Sequence, residues 1–147
     1  MRIDSHQHYW KVDRGDYHWM TPEVPVLYRD YLPADLRPSL IEHGIQQTIL
    51  VQAAQTVAET DFLLDLAASD GSIAGVVGWL DMDAPDFPHQ FERYRRSPKF
   101  VGVRPGNGRR DRVAVLAGAE DGKGSGAQVR VVGLEPEPAP VRGAEVA

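Results

Sequence analysis

The stretch Met1-Arg-Ile-Asp-Ser-His-Gln-His-Tyr-Trp10 decides how the rest of the chain is read. Ile3 to His8 has the length and the apolar start of a β-strand. Side chains alternate along a strand, so His6 and His8 share one face, with Asp4 below them on it. Their Cα atoms would lie about 6.6 Å apart at a strand's rise, so two imidazoles can converge on one small target. That target is either a metal ion or a carbonyl oxygen that needs a positive partner. Asp4 either orients a histidine or bonds backbone at the floor of the site, and its distance down the strand favours the second.

Outward from that strand, Trp10 to Tyr31 carries no clean period. It holds Trp10, Tyr17, Trp19, Met20, Tyr28 and Tyr31, with Pro22 and Pro25 as breakers. An irregular segment this long is uncommon in a compact domain unless it is functional. Beside two histidines it suits a lid or a substrate wall, with Trp19 as a candidate substrate contact. The same rings would also pack the loop onto the body.

Pro33 can open a helical turn, but Pro38 sits badly inside a continuous helix. The expectation is therefore a short turn and then a helix over Pro38 to His43, ending at Gly44. His43 would face the negative end of the helix dipole, a structural role. Gln47 to Gln52 contains Thr-Ile-Leu-Val, a run that suits a parallel strand covered on both faces. Gln52 falls at its C-terminal end, level with His8. Thr56-Val-Ala-Glu59 reads as a capping box, with the glutamate reaching back to the Thr56 backbone. The helix should run to Ser69, burying Phe62, Leu63, Leu66 and Ala67.

Ile73 to Leu80 reads as a third strand, in which Gly75 and Gly78 let a neighbouring backbone come close. Asp81 and Asp83 follow it, as turn or cap residues or at the mouth of the site. Asp86 is placed to cap a third helix, with Phe87, Phe91 and Tyr94 on one face, His89 exposed, and Arg95 and Arg96 in the last turn. Ser97-Pro98 stops it, and Phe100 to Val103 is a fourth strand with Arg104 at its end. Arg104 either binds a substrate carboxylate or hydroxyl or makes an ion pair.

Strand, loop, helix, strand, helix, strand, helix, strand implies an α/β fold with parallel strands and crossover helices. A dinucleotide fold would need a glycine-rich turn after the first strand, where His6-Gln-His8 stands instead. The N-terminal half of an eight-stranded β/α barrel fits better, with the histidines at the C-terminal strand edge where such barrels keep their sites.

A chain of 147 residues is long enough for one domain with a core. Its net charge of −5 argues against a nucleic-acid partner, because such proteins carry a basic face. With no cysteine, a disulfide, a thiolate zinc site and a thiol nucleophile are excluded. No run approaches a membrane span, and no secretory signal opens the chain. The expectation is a cytoplasmic protein with a small-molecule partner and no membrane or nucleic-acid partner.

Ile3-Asp-Ser-His-Gln-His-Tyr-Trp10 and Asp16-Tyr-His-Trp-Met20 resemble the opening of the amidohydrolase-related family, in its branch of L-fuconolactonase-like sugar lactonases. Tyr31-Leu-Pro-Ala-Asp-Leu36, Leu50-Val-Gln-Ala53, Gln55-Thr56, Gly75-Val-Val-Gly-Trp-Leu-Asp81 and Lys99-Phe-Val-Gly-Val-Arg104 continue the likeness over residues 1 to 105. The resemblance implies a β/α barrel that opens a sugar lactone with water. It implies catalytic roles for His6 and His8, either as ligands of one divalent metal such as zinc or, in metal-independent members, as direct substrate contacts. Trp19, Gln52 and Arg104 are the candidate substrate-binding residues. Family members complete the site from later strands, including an aspartate that activates water, and this sequence has no matched position for those groups. Two alternatives stand beside it, a phosphoester hydrolase with a first-strand His-x-His and a non-catalytic half-barrel.

From Gly106 the composition changes. Residues 106 to 147 contain no Phe, Trp, Tyr, His, Ile or Met. Val113-Ala-Val-Leu116 and Val129-Arg-Val-Val132 are their only apolar runs, and Leu134 to Pro140 reads as polyproline-like. Gly106-Asn-Gly108 lacks what a phosphate loop needs after it. The sequence therefore divides into a partial barrel over 1–105 and a largely disordered tail over 106–147. A frameshift near codon 105 would produce such a tail, with a genuine but divergent tail as the alternative, and a β/α barrel needs about 250 residues. An incomplete, catalytically weak chain that self-associates through open barrel edges is expected.

Overall fold

A computed structural model of the chain describes residues 1–104, 112–116 and 129–133. Four strands, β1 (Ile3–Gln7), β2 (Gln47–Val51), β3 (Ile73–Gly78) and β4 (Phe100–Val103), pair in parallel in that order. Helices α1 (Pro33–Glu42), α2 (Val57–Ser69) and α3 (Phe87–Tyr94) connect them. This is the α/β alternation expected for the first half of a β/α barrel.

The fully buried β2 and β3 residues Leu50, Ile73 and Val76 pack with Tyr9 against Leu63 and Ala67 of α2. Phe62 and Leu66 complete the stripe from partly buried positions. Phe91 and Tyr94 of α3 meet Phe100 and Val103 of β4 in a second cluster. The Thr60 hydroxyl ties α2 to the end of β3, accepting from the Trp79 N–H and donating to the Trp79 carbonyl, each at 2.8 Å.

The second connection keeps the expected helix bounds of 57–69. Thr56 caps α2, its hydroxyl accepting from the Glu59 N–H at 3.0 Å. His89 is exposed. Several expectations are corrected. Pro38 lies inside α1, which starts at Pro33 rather than Pro38. The Asp35 carboxylate accepts from the Leu32 N–H at 2.9 Å and holds that first turn, and the proline costs only one bond in a ten-residue helix. The helix does end on Gly44, which sits at φ 62. The Gly44 N–H reaches the Ile41 carbonyl and the Ile45 N–H the Leu40 carbonyl, the paired bonds of a Schellman end.

Asp86 stands at the start of α3 without a capping bond and instead accepts from the Gln90 side chain at 3.3 Å. The helix stops at Tyr94, so Arg95 lies at its cap and Arg93 is the cation of its last turn. β3 ends at Gly78, two residues before Leu80, where the Trp79 peptide turns to Thr60. The close neighbours of Gly75 and Gly78 are side chains rather than backbone. A Cβ on Gly75 would meet Val101, and one on Gly78 would meet Thr60 and Phe100.

The two apolar runs of the tail form strands. β5 (Arg112–Leu116) pairs antiparallel with β4, and β6 (Val129–Gly133) pairs antiparallel with β5, extending the sheet to six strands. Valine-rich runs favour a pleated ladder whatever the composition around them. The readings of Gly106 to Gly108 and of Leu134 to Pro140 lie outside the described residues.

Candidate functional site

The C-terminal ends of β1, β2 and β4 deliver His8, Gln52 and Arg104 to one open cleft of about 640 Å³. His6 and His8 converge as their spacing predicts, with their Nε2 atoms 3.1 Å apart and their rings edge to face. The Val51 carbonyl lies 2.8 Å from His8 Nδ1. A carbonyl only accepts, so Nδ1 carries the proton, and His8 Nε2 presents its lone pair to His6 and the space above it. Burial lowers the His8 pKa, the Val51 bond opposes this, and the charges of His6 and Arg104 add to the lowering. The pair therefore favours a neutral His8, the form that ligates a metal or accepts a proton.

Two nitrogens on one tetrahedral zinc lie about 3.3 Å apart, given a Zn–N distance of about 2.0–2.1 Å. The pair matches that bite, and the Val51 bond is the outer contact that fixes a ligating histidine. No group of three or more His, Cys, Asp or Glu side chains is arranged to hold a metal among the described residues. Asp4 takes the backbone role, its carboxylate accepting from the His6 N–H at 3.0 Å. Asp81 is a turn residue, accepting from the Asp83 N–H at 3.0 Å.

The aromatic loop forms the wall of the cleft. Trp10 and Tyr31 exchange both backbone bonds at 3.0 Å, closing the loop at its neck. The Trp10 indole donates to the Leu27 and Arg29 carbonyls and packs edge-on against Trp19 at 5.6 Å. Trp19 donates to the Ala53 carbonyl at 2.8 Å, which sets it over the strand ends near His8. The residue is 49% exposed, enough to meet a ligand.

Gln52 is buried at the end of β2, with its N–H on the Val77 carbonyl. Arg104 anchors its backbone on the Gly78 carbonyl, and no ion pair engages its guanidinium among the described residues. Of the sequence-derived candidates, His8, Trp19, Gln52 and Arg104 line the cleft, and His6 joins them through its contact with His8. The sequence reading missed Asp16, His18 and Thr56, which also line the cleft. Asp16 and Thr56 stood in the motif stretches, but nothing local says that a residue forty positions away completes their contact, as the 2.9 Å bond from Thr56 to Asp16 does.

The chain is similar in sequence and fold to several known proteins. L-fucono-1,5-lactonase from Burkholderia ambifaria is 41% identical over 104 residues, covering 71% of this chain and 36% of that one. The enzyme of the same name from Burkholderia multivorans is 43% identical over 104 residues, 71% of this chain and 35% of that one. A crystal structure of an amidohydrolase from Burkholderia multivorans with bound zinc superposes with a TM-score of 0.65 at 42% identity, over 70% of this chain and 36% of that chain. A second crystal form of that amidohydrolase, with bound HEPES, superposes equally well. The chain spans about a third of the length of these relatives. The amidohydrolase family model matches residues 3–140, most of the chain, and so the protein belongs to the amidohydrolase family.

Proposed function

We propose that this cleft belongs to a hydrolase that opens a sugar lactone. The observation that carries the reading is the His6–His8 pair, its Nε2 atoms 3.1 Å apart, with His8 lining an aromatic-walled cleft. A lactone is a cyclic ester on a ring with one apolar face and several hydroxyls. The Trp10 and Trp19 rings suit the apolar face, and the Gln52 amide and Arg104 guanidinium suit the carbonyl and hydroxyls. The names of the lactonase relatives support the same substrate class.

His6 and His8 would hold the divalent metal, zinc being the ion their spacing suits. When bound it would polarise the lactone carbonyl and lower the pKa of water. The remaining steps fall to side chains. Trp19 and Trp10 orient the ring and exclude water from its apolar face. Arg104 draws the carbonyl or a ring hydroxyl toward the strand ends. His8, with Nδ1 occupied by Val51, has only Nε2 to offer, as a metal ligand or, without metal, as a proton acceptor. The absence of cysteine suits a reducing, cytoplasmic setting. No helix among the described residues is long and apolar enough to cross a membrane.

Hydrolysis of L-fucono-1,5-lactone by the purified chain, followed against the buffer rate with and without chelator and beside a phosphodiester, tests this. Lactone opening above background is expected, with loss on chelation and recovery on adding zinc if the metal role holds. Phosphodiester cleavage without lactone opening, or neither, overturns the reading.

The described sheet leaves β1 paired on one side only, and Ile3 on it is 43% exposed. Such an edge recruits another strand. The chain is expected to run above its monomer mass in light scattering at high concentration, and a strict monomer there would count against edge pairing.

A further inference from the structure

The Glu59 side chain does not do what its capping position suggests. It stands at the third position of α2, from where a glutamate normally reaches back to the cap residue's own N–H. Here its carboxylate is fully buried and turned away from the helix. One oxygen accepts from the Ala53 N–H at 3.0 Å. The other accepts from the Tyr17 O–H at 2.7 Å, with the Arg14 guanidinium at 3.4 Å. Arg14 also pairs with Asp16 at 2.6 Å and lies over the Phe62 ring at 4.5 Å. Asp16 in turn accepts from Thr56 at 2.9 Å.

Two segments distant in sequence therefore meet on one carboxylate: the aromatic loop through Arg14 and Tyr17, and the β2–α2 loop through Ala53. The Ala53 peptide is bracketed, its N–H on Glu59 and its carbonyl on the Trp19 indole. Glu59 does not itself line the cleft. We propose that Glu59 is a positioning residue, whose carboxylate clamps the aromatic loop to the β2–α2 loop and thereby sets Trp19 against Gln52 and His8. The loop is then a fixed wall rather than a lid. The consequence for substrate rests on the lactonase reading above; the clamp does not.

A carboxylate offers acceptors on both sides. The amide of Glu59→Gln offers one, and its NH2 faces either Arg14 or the Ala53 N–H, donor against donor. Tyr17→Phe removes one donor and leaves the other two. For the full chain carrying Glu59→Gln, tryptic and chymotryptic cleavage within residues 10–31 is expected to speed up about tenfold, the size of losing one hydrogen bond to a charged group. Tryptophan emission should shift to the red, with far-ultraviolet circular dichroism unchanged. KM for the lactone should rise by a similar factor while kcat changes less, which general loss of folded protein would not produce. Tyr17→Phe should show the same changes at smaller size, and it decides the question if Glu59→Gln fails to fold. Wild-type protection of the loop in both variants overturns the clamp, and so does a freed loop with unchanged emission. A chain that hydrolyses no lactone overturns the functional reading instead, and leaves proteolysis and fluorescence to decide Glu59.

Discussion

Replacing His8 with Ala is expected to lower lactone hydrolysis by at least about 100-fold, the loss typical when one group that stabilises a developing oxyanion is removed. His6→Ala should lose a similar amount. The two act through one point, since their Nε2 atoms are 3.1 Å apart, so the double variant should lose little more than either single one. Zinc affinity, measured by titration calorimetry, should fall by more than about 100-fold in each variant if the pair ligates metal, since disturbing even a ligand's supporting contacts costs about 10- to 100-fold. Neither change should unfold the chain, because His6 is exposed and His8 only partly buried. Unchanged hydrolysis in both variants would remove the pair from the site. Lost hydrolysis with unchanged zinc binding would leave them as direct substrate contacts.

The second large effect is on stability. A Cβ on Gly78 would lie 2.6 and 2.7 Å from two atoms of Thr60 and 3.0 Å from Phe100. Thr60 cannot retreat, because its hydroxyl is bonded to both polar groups of the Trp79 backbone and the residue is fully buried. Gly78→Ala is therefore expected to cost about 3 kcal/mol, the upper part of the usual overpacking range. In thermal unfolding this corresponds to a fall of about 10 °C in Tm. Gly71→Ala is the control, since a Cβ there meets nothing within 4 Å. Equal losses in the two variants would mean that crowding by Thr60 is not the cause.

Much of this architecture is legible one segment at a time, because the forces that make it are local. Alternation puts His6 and His8 on one face, and at the end of β1 their Nε2 atoms do meet, 3.1 Å apart. The Thr-Ile-Leu-Val run forms β2 because a strand covered by helices must be apolar at successive positions. Thr56 caps α2 through a bond spanning three residues, which sequence spacing alone can specify. Even Val113–Leu116 and Val129–Val132 announced themselves as apolar runs, although their antiparallel addition to β4 depends on a partner strand that composition does not name.

The tertiary structure decided what long-range partners decide. The tautomer of His8 is set by the Val51 carbonyl, 43 positions along the chain. Glu59 left its capping partner for Tyr17, 42 positions back, and that choice, not the count of aromatic rings, makes the loop a wall. A buried carboxylate must find donors wherever the fold supplies them, because leaving it unpaired costs more than any local bond returns. By itself the sequence determined which residues can do chemistry and the elements that carry them; only the fold settled which way those side chains turn, since direction depends on donors and acceptors that the chain brings together from far apart.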